Sequence, residues 1–181
     1  MEKRSGLNES WEKIKALLRP QEIARDINKI DFAALKAKGI RALILDIDDT
    51  LIPKEVNDIY PAVFEWVVAR KEEGFRLCLT SNSRHPLRVK YIGDTLGLPA
   101  ISMGFKPLPF AFRKSLEILK AKPEETAMIG DQLFMDILGA NILKIYSIFI
   151  DHRKEEEFLV RKWMRQAEQW VLSKLRTSAL P

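Results

Sequence analysis

Three carboxylates, Asp46, Asp48 and Asp49, crowd into one short stretch, and the hydroxyl of Thr50 follows them. Carboxylates at such spacing repel one another and are tolerated mainly where a cation neutralises them. Oxygen ligands of this kind suit a hard ion such as Mg²⁺, so the stretch reads as a candidate active site. A calcium loop of the EF-hand kind is excluded. Its sixth position is Leu51 where a glycine is needed, and its twelfth is Asn57 where a glutamate is needed. Further along, Ser81-Asn82, Lys106 and the pair Asp131 and Asp136 form three more polar clusters. Each has a plain reading on its own: a polar turn, a surface lysine, an N-cap, a solvated helix charge. What joins them is their common position, at or just past the end of an apolar run.

Those runs are the elements that must position the clusters. Ile40 to Leu45 reads as a buried strand ending at Asp46, and Phe75 to Thr80 as one ending at Ser81. A short strand near Ala100 to Met103 precedes Lys106-Pro107, Thr126 to Gly130 ends at Asp131, and Ile145 to Ile150 closes the series. Between them the spacing predicts helices. One holds Phe32, Leu35 and Lys36 and stops at Gly39; another opens at Pro61 with Phe64, Val67 and Val68 inward. A third runs from Pro86 to about Leu96, a fourth buries Phe112, Leu116 and Leu119, and a fifth after Asp131 carries Phe134, Ile137 and Leu138. Leu51 to Tyr60, with Pro53, reads as a loop or small flap. Strands alternating with helices imply an α/β fold: a three-layer, Rossmann-like parallel sheet with helices on both faces. Ligands of such sheets bind beyond the carboxyl ends of the strands, near the topological switch point. The four clusters are therefore expected to converge.

The 181-residue chain is long enough to bury a sizeable core as one domain. That domain is expected over 1–181, with its core at about 40–150, an N-terminal helical extension at 1–38 and a C-terminal basic amphipathic helix at 153–177. Hydrophobic residues at 46% and charged residues at 30% exclude a disordered chain. The formal charge of +5 favours an anionic partner, and nucleic acid, phosphorylated substrates and an anionic membrane surface all meet that description. Cys78, the one cysteine, excludes an internal disulfide and fits a reducing compartment; inside the apolar run Phe75 to Thr80 it reads as a core residue. With two histidines and one cysteine no zinc site is expected. No apolar run approaches the ~20 residues of a spanning helix, and Met1-Glu2-Lys3-Arg4 lacks a signal peptide's apolar core. The expected location is the cytoplasm, including the inner face of a membrane.

Both ends of the chain read as basic amphipathic helices. Leu7, Trp11, Ile14 and Leu18 recur at helical spacing among Lys3, Arg4, Lys13, Lys15 and Arg19. From Glu155 to Arg176, Val160, Trp163, Met164, Ala167, Val171 and Leu175 do the same among Arg161, Lys162, Arg165 and Lys174. Trp11, Trp163 and Trp170 are three of the four tryptophans. Aromatic rings beside basic residues suit a membrane interface, and packing of these helices on the core or on each other would bury the same rings. Both readings stand.

In their order, the four clusters resemble the motifs of the haloacid dehalogenase (HAD) superfamily of phosphatases. Asp46-Ile47-Asp48-Asp49-Thr50 is similar to the first motif, Ser81 with Asn82 to the second, Lys106 to the third, and Gly130-Asp131-Gln132 through Asp136 to the fourth. The likeness spans roughly Ile40 to Ile150. It implies a HAD-type fold and a Mg²⁺-dependent phosphomonoester hydrolase working through an aspartyl-phosphate. On that resemblance Asp46 is the nucleophile and a metal ligand, Asp48 is the acid–base group and offers its backbone carbonyl to Mg²⁺, and Asp131 supplies the third ligand. Ser81 and the backbone of Asn82 bind phosphoryl oxygens, and Lys106 supplies positive charge opposite the metal. Asp136 either reaches a metal-bound water or orients Lys106, and Thr50 supports the first motif. The residue types match the needs of phosphoryl transfer: an in-line nucleophile, a proton donor for the leaving oxygen, and compensation of the equatorial charge.

Many HAD enzymes insert a cap domain after the first motif or between the second and third. Neither the interval from Asp46 to Ser81 nor that from Ser81 to Lys106 has room for one, so an open, capless site is expected. Such a site suits macromolecular or surface-bound phosphates, although some capless enzymes take small molecules and oligomerise over it. The finer resemblance is to the YqeG-like capless group, which includes the mitochondrial phosphatidylglycerophosphate phosphatases. It is carried by Leu18-Arg19-Pro20, Leu35-Lys36-Ala37-Lys38-Gly39-Ile40, Ser81-Asn82, Lys106-Pro107 and Gly130-Asp131-Gln132. Asp49 stands where asparagine is common, Ser83 where a second asparagine is common, and Met135 where threonine is common. The implied reaction converts phosphatidylglycerophosphate to phosphatidylglycerol, with a phospholipid headgroup as partner. A soluble sugar, nucleotide or protein phosphate is the alternative substrate. A non-catalytic nucleic-acid or ribosome-associated module is the alternative class, against which Asp46, Asp48, Lys106 and Asp131 argue.

Overall fold

The structure is a computed structural model and describes residues 13–54, 56 and 58–151. The chain divides into two compact units. One consists of Met1–Arg19 and Arg153–Pro181 and is described at 13–19 alone, where 13–18 form a helix, α1. Leu7 and Trp11 of the expected N-terminal helix lie outside the described residues, as does the C-terminal helix expected over Glu155–Arg176. The other unit, Pro20–His152, holds every strand-end cluster. No helix among the described residues is long and apolar enough to cross a membrane.

Six strands form one parallel sheet: β1 Glu22–Ala24, β2 Ala42–Leu45, β3 Arg76–Thr80, β4 Ala100–Ile101, β5 Thr126–Gly130 and β6 Tyr146–Ile150, in the order β1-β6-β5-β2-β3-β4. Five helices connect them: α2 Phe32–Ala37, α3 Pro61–Glu72, α4 Pro86–Leu96, α5 Pro109–Leu119 and α6 Leu138–Ile142. Among the described residues, no cap domain lies between the strand-end clusters. β2 is central and buried on both faces, and its alternation divides the core. Leu43 and Leu45 belong to the half lined by α2, α3 and α4, whereas Ala42 and Ile44 belong to the half lined by α5 and α6. In the first half the ring of Phe32 meets Trp66 and Phe75 edge-on at 5.6 and 5.7 Å, and the Arg70 guanidinium covers it at 4.3 Å. Cys78 is buried in the second half, where burial raises its thiol pKa.

Three local expectations are corrected. On α3 the buried residues are Val63, Trp66 and Val67, while Phe64 is exposed and Val68 half-buried. Val67 belongs to two overlapping stripes at three- and four-residue spacing, and the sheet selects the one that buries the tryptophan. After β5 the chain makes a π-helical turn, Leu133–Ile137, before α6; Ile137 N donates to Gln132 O, five residues back, at 3.3 Å. The turn shifts the inward face to Leu133, Asp136, Ile137 and Ala140, away from Phe134 and Leu138. Ahead of the expected helix α2, Glu22–Ala24 form an edge strand, β1, which pairs with β6 and was not expected. Three residues are too few for an alternation to register.

Candidate active site

Strand register builds the site. Leu45 pairs with Leu79 on one side and Ile129 on the other, so the next residues, Asp46, Thr80 and Gly130, fall in one row at the carboxyl end of the sheet. Asp46 N donates to Ile129 O at 2.9 Å, which fixes the aspartate's start. From β2 the chain winds outward through β3 and β4, then returns on the other side of β2 as β5. Asp46 thus stands at the switch point, where a crevice is built into the topology.

The loop after β2 is tight. Leu51 N and Ile52 N both donate to Ile47 O, at 3.0 and 3.1 Å, and Asp49 N donates to Ile52 O at 2.8 Å. Asp49 sits at the turn with φ of 61°, a left-handed conformation that aspartate and asparagine tolerate better than most residues. Its carboxylate accepts from Lys54 N at 3.3 Å. That conformation is a physical reason for Asp or Asn at this position.

Lys106 is the hub. Its ammonium donates to Asp46 Oδ1 at 2.5 Å and to Thr80 O at 2.9 Å, and forms an ion pair with Asp136 Oδ1 at 2.6 Å. The loop that carries it is clamped by Asn82, whose Oδ1 accepts from Lys106 N at 2.8 Å and whose Nδ2 donates to Lys106 O at 3.0 Å. Ser81, buried at the end of β3, accepts through Oγ from Ser83 N at 3.0 Å. Asp136 reaches inward from the π-helical turn and accepts from Gln132 N at 3.1 Å. Carboxylate oxygens of Asp46, Asp131 and Asp136 all lie within 4.8 Å of one another, and all three residues are buried. Asp48 lies outside this cluster: its carboxylate pairs with Arg88 Nη1 at 2.7 Å, and Arg88 Nη2 donates to Val56 O at 3.2 Å.

Of the residues expected in the site, Asp46, Lys106, Asp131 and Asp136 gather at its centre, Ser81 and Asn82 border it, and Asp48 and Thr50 lie in the loop above β2. Two neighbours have no counterpart in the sequence reading: Arg88, and the carbonyl of Thr80. A contact from the first turn of α4 back to the β2 loop leaves no periodic trace in a single sequence.

A family model of haloacid dehalogenase-like hydrolases matches residues 57–142. The probable phosphatase YqeG of Bacillus subtilis is 30% identical over 163 residues, 90% of this chain and 94% of that protein. The chain belongs to the haloacid dehalogenase-like hydrolases. Within that family it is similar to the YqeG-like phosphatases, and it is an enzyme of the phosphatase type. The mitochondrial phosphatidylglycerophosphatase GEP4 of Saccharomyces cerevisiae is 27% identical over 125 residues, covering 62% of this chain and 67% of that protein. A solved structure of an uncharacterized protein from Listeria monocytogenes serotype 4b shares the fold with a TM-score of 0.52 at 18% identity, covering 66% of this chain and 85% of that one.

HAD-like phosphatases use a divalent metal ion, and the electrostatics here fit one. The buried carboxylates of Asp46 and Asp136 share the Lys106 ammonium, and the buried Asp131 lies beside them, so further positive charge would be stabilised there. Among the described residues, Asp46 Oδ2 is a buried oxygen with no hydrogen-bond partner, and so is Thr50 Oγ1. Burial pushes the Asp46 carboxyl up to about 7; Lys106 opposes the rise, and Asp136 and Asp48 add to it. Burial would lower Lys106, but Asp136 and Asp46 outweigh it and hold the ammonium above its ordinary value. A divalent cation bound among these carboxylates would supply that charge.

Gly130 makes this packing feasible. A Cβ built on it would overlap the Asp136 carboxylate. Gly130→Ala is therefore expected to displace Asp136 from Lys106, lowering kcat about tenfold or more and costing about 1–3 kcal/mol of stability. Parallel kinetics and thermal denaturation check this; a variant matching the wild type in both would show that Asp136 need not occupy that position.

Proposed function

We propose that the chain is a Mg²⁺-dependent phosphomonoesterase that forms an aspartyl-phosphate on Asp46, with phosphatidylglycerophosphate as its substrate. The observation that carries the chemistry is the buried Asp46, held by Lys106 at 2.5 Å at the switch point of the sheet. The lipid substrate is supported by the partial likeness to the yeast phosphatidylglycerophosphatase and by a site with no cap domain above it.

Asp46 attacks phosphorus through a carboxylate oxygen, and the bond from phosphorus to the leaving oxygen breaks. Asp48 gives its proton to that oxygen, then takes one from the water that attacks the phosphoryl group on Asp46, so phosphate leaves and both aspartates return to their starting forms. Asp46, the backbone carbonyl of Asp48 and Asp131 would hold Mg²⁺, which would supply positive charge between nucleophile and substrate. Lys106 presents a fixed positive charge on the opposite side, while Ser81 and the backbone of Asn82 bind phosphoryl oxygens. Asp136 and Thr80 O hold the Lys106 ammonium in place.

Arg88 gives the acid–base group its orientation, since the guanidinium joins Asp48 to the carbonyl of Val56 in the loop leading to α3. Arg88→Met is expected to lower kcat roughly 10- to 100-fold with little change in KM, and Arg88→Lys to recover part of the loss. A change confined to KM would mean that Arg88 binds substrate instead.

The substrate assignment is tested by hydrolysis of phosphatidylglycerophosphate in mixed micelles beside a panel of soluble sugar, nucleotide and peptide phosphomonoesters. The expected result is a kcat/KM highest for the lipid by an order of magnitude or more. A soluble ester preferred by that margin removes the lipid reading and leaves the chemistry standing.

A further inference from the structure

The loop that carries Lys106 turns its other side chains outward. Met103, Phe105, Leu108 and Phe110 are all exposed, the last three at 60, 60 and 62%, around the one buried lysine. The loop is not slack. Met103 N donates to Ser83 O at 3.3 Å, Gly104 N to Ser81 O at 2.9 Å and Leu108 N to Phe105 O at 2.9 Å, and Asn82 clamps Lys106 on both backbone atoms. Met103 and Phe105 have φ of 49° and 50°, the left-handed region that side chains other than glycine rarely adopt. A fixed and strained backbone thus presents large apolar groups to solvent beside the reactive centre, where a monomer in water gains nothing from them.

The charge around this rim is basic. Arg113 and Lys114 are exposed three and four residues beyond Phe110, on the same side of α5, and Arg84 is exposed in the neighbouring β3–α4 loop. Two copies meeting rim to rim about a two-fold axis would set these cations against one another. An anionic lipid surface instead offers negative headgroups to the cations and an apolar layer to the rings.

We propose that Met103, Phe105, Leu108 and Phe110, flanked by Arg113 and Lys114, form the surface by which this protein docks on an anionic bilayer with its site facing the headgroups. The proposal deepens the lipid reading of the site and rests on it. It places membrane contact on the catalytic unit.

The test is flotation of the full-length protein with vesicles, in EDTA so that no turnover intervenes. Wild type is expected to float with vesicles of equal parts phosphatidylglycerol and phosphatidylcholine, and to stay behind with phosphatidylcholine alone. Leu108→Ser with Phe110→Ser is expected to lower the bound fraction about tenfold or more, as is Arg113→Gln with Lys114→Gln at low salt, where exposed charges are least screened. Aryl phosphate hydrolysis by these variants should stay within about twofold of wild type, which shows that they fold. Wild type that ignores anionic vesicles overturns the proposal, and so does a Leu108/Phe110 variant that binds like wild type. A wild-type dimer that the same variant converts to monomer, by light scattering, also overturns it and makes the rim a contact between copies. Vesicle binding lost as expected, with no preference for the lipid substrate, leaves the docking surface standing and removes the substrate reading instead.

Discussion

Asp46→Asn is expected to lower kcat for phosphomonoester hydrolysis by roughly 10⁴-fold or more, because an amide cannot form the acyl-phosphate and is a poorer metal ligand. The same variant carries a second, independent signature in stability. Without metal, the folded state holds the Asp46 proton up to about pH 7, whereas an unfolded aspartate loses it near pH 4 (about 3.9). The folded protein therefore binds more protons across that window, and its stability falls as pH rises from about 4 to about 7. The amide of the variant has no such proton to lose, so its profile of Tm against pH should be flatter. In wild type, added Mg²⁺ should raise Tm more at pH 8 than at pH 5, since protons compete for the same oxygens. Identical pH profiles in the two proteins would contradict the placement of that buried charge.

The second large effect is expected at Lys106. Lys106→Met leaves Asp46 and Asp136 facing each other with no ammonium between them. Removing one partner of a buried ion pair typically costs about 3–5 kcal/mol, and the residue's near-complete burial means that little solvent screening softens the loss. The rate should fall about 10²- to 10³-fold, as for other fixed donors aimed at developing charge. Divalent metal should restore part of the lost stability and little of the rate, because an ion among the carboxylates would offset their charge without replacing the Lys106 ammonium. Denaturation with and without Mg²⁺ measures the first effect and steady-state kinetics the second. A stability loss below about 1 kcal/mol would mean that the two carboxylates share a proton and need no cation.

The sheet and the centre of the site were legible because each strand ends abruptly in a polar residue. Leu45 to Asp46, Thr80 to Ser81 and Gly130 to Asp131 are boundaries where a buried strand gives way to chemistry, and parallel register brings them within one residue of a common row. β1 was not legible, since three residues paired only along one edge leave no alternation. The inward face of α3 was ambiguous because Val67 fits two stripes. Asp136 could be placed near Lys106 but not oriented, because the π-helical turn depends on a bond from Ile137 N to Gln132 O that no helical periodicity encodes. Arg88 lies beyond single-sequence reasoning for a different reason: it acts through a contact between α4 and the loop after β2, far apart in the chain.

The most direct test is to locate the phosphoryl group during turnover. Enzyme mixed with substrate and Mg²⁺ is quenched in acid, reduced with borohydride, which converts an aspartyl-phosphate to homoserine, and mapped by peptide mass spectrometry. The expected result is homoserine in place of Asp46, absent without Mg²⁺ and absent in Asp46→Asn. Modification at another residue, or undiminished turnover by Asp46→Asn, would contradict Asp46 as the nucleophile.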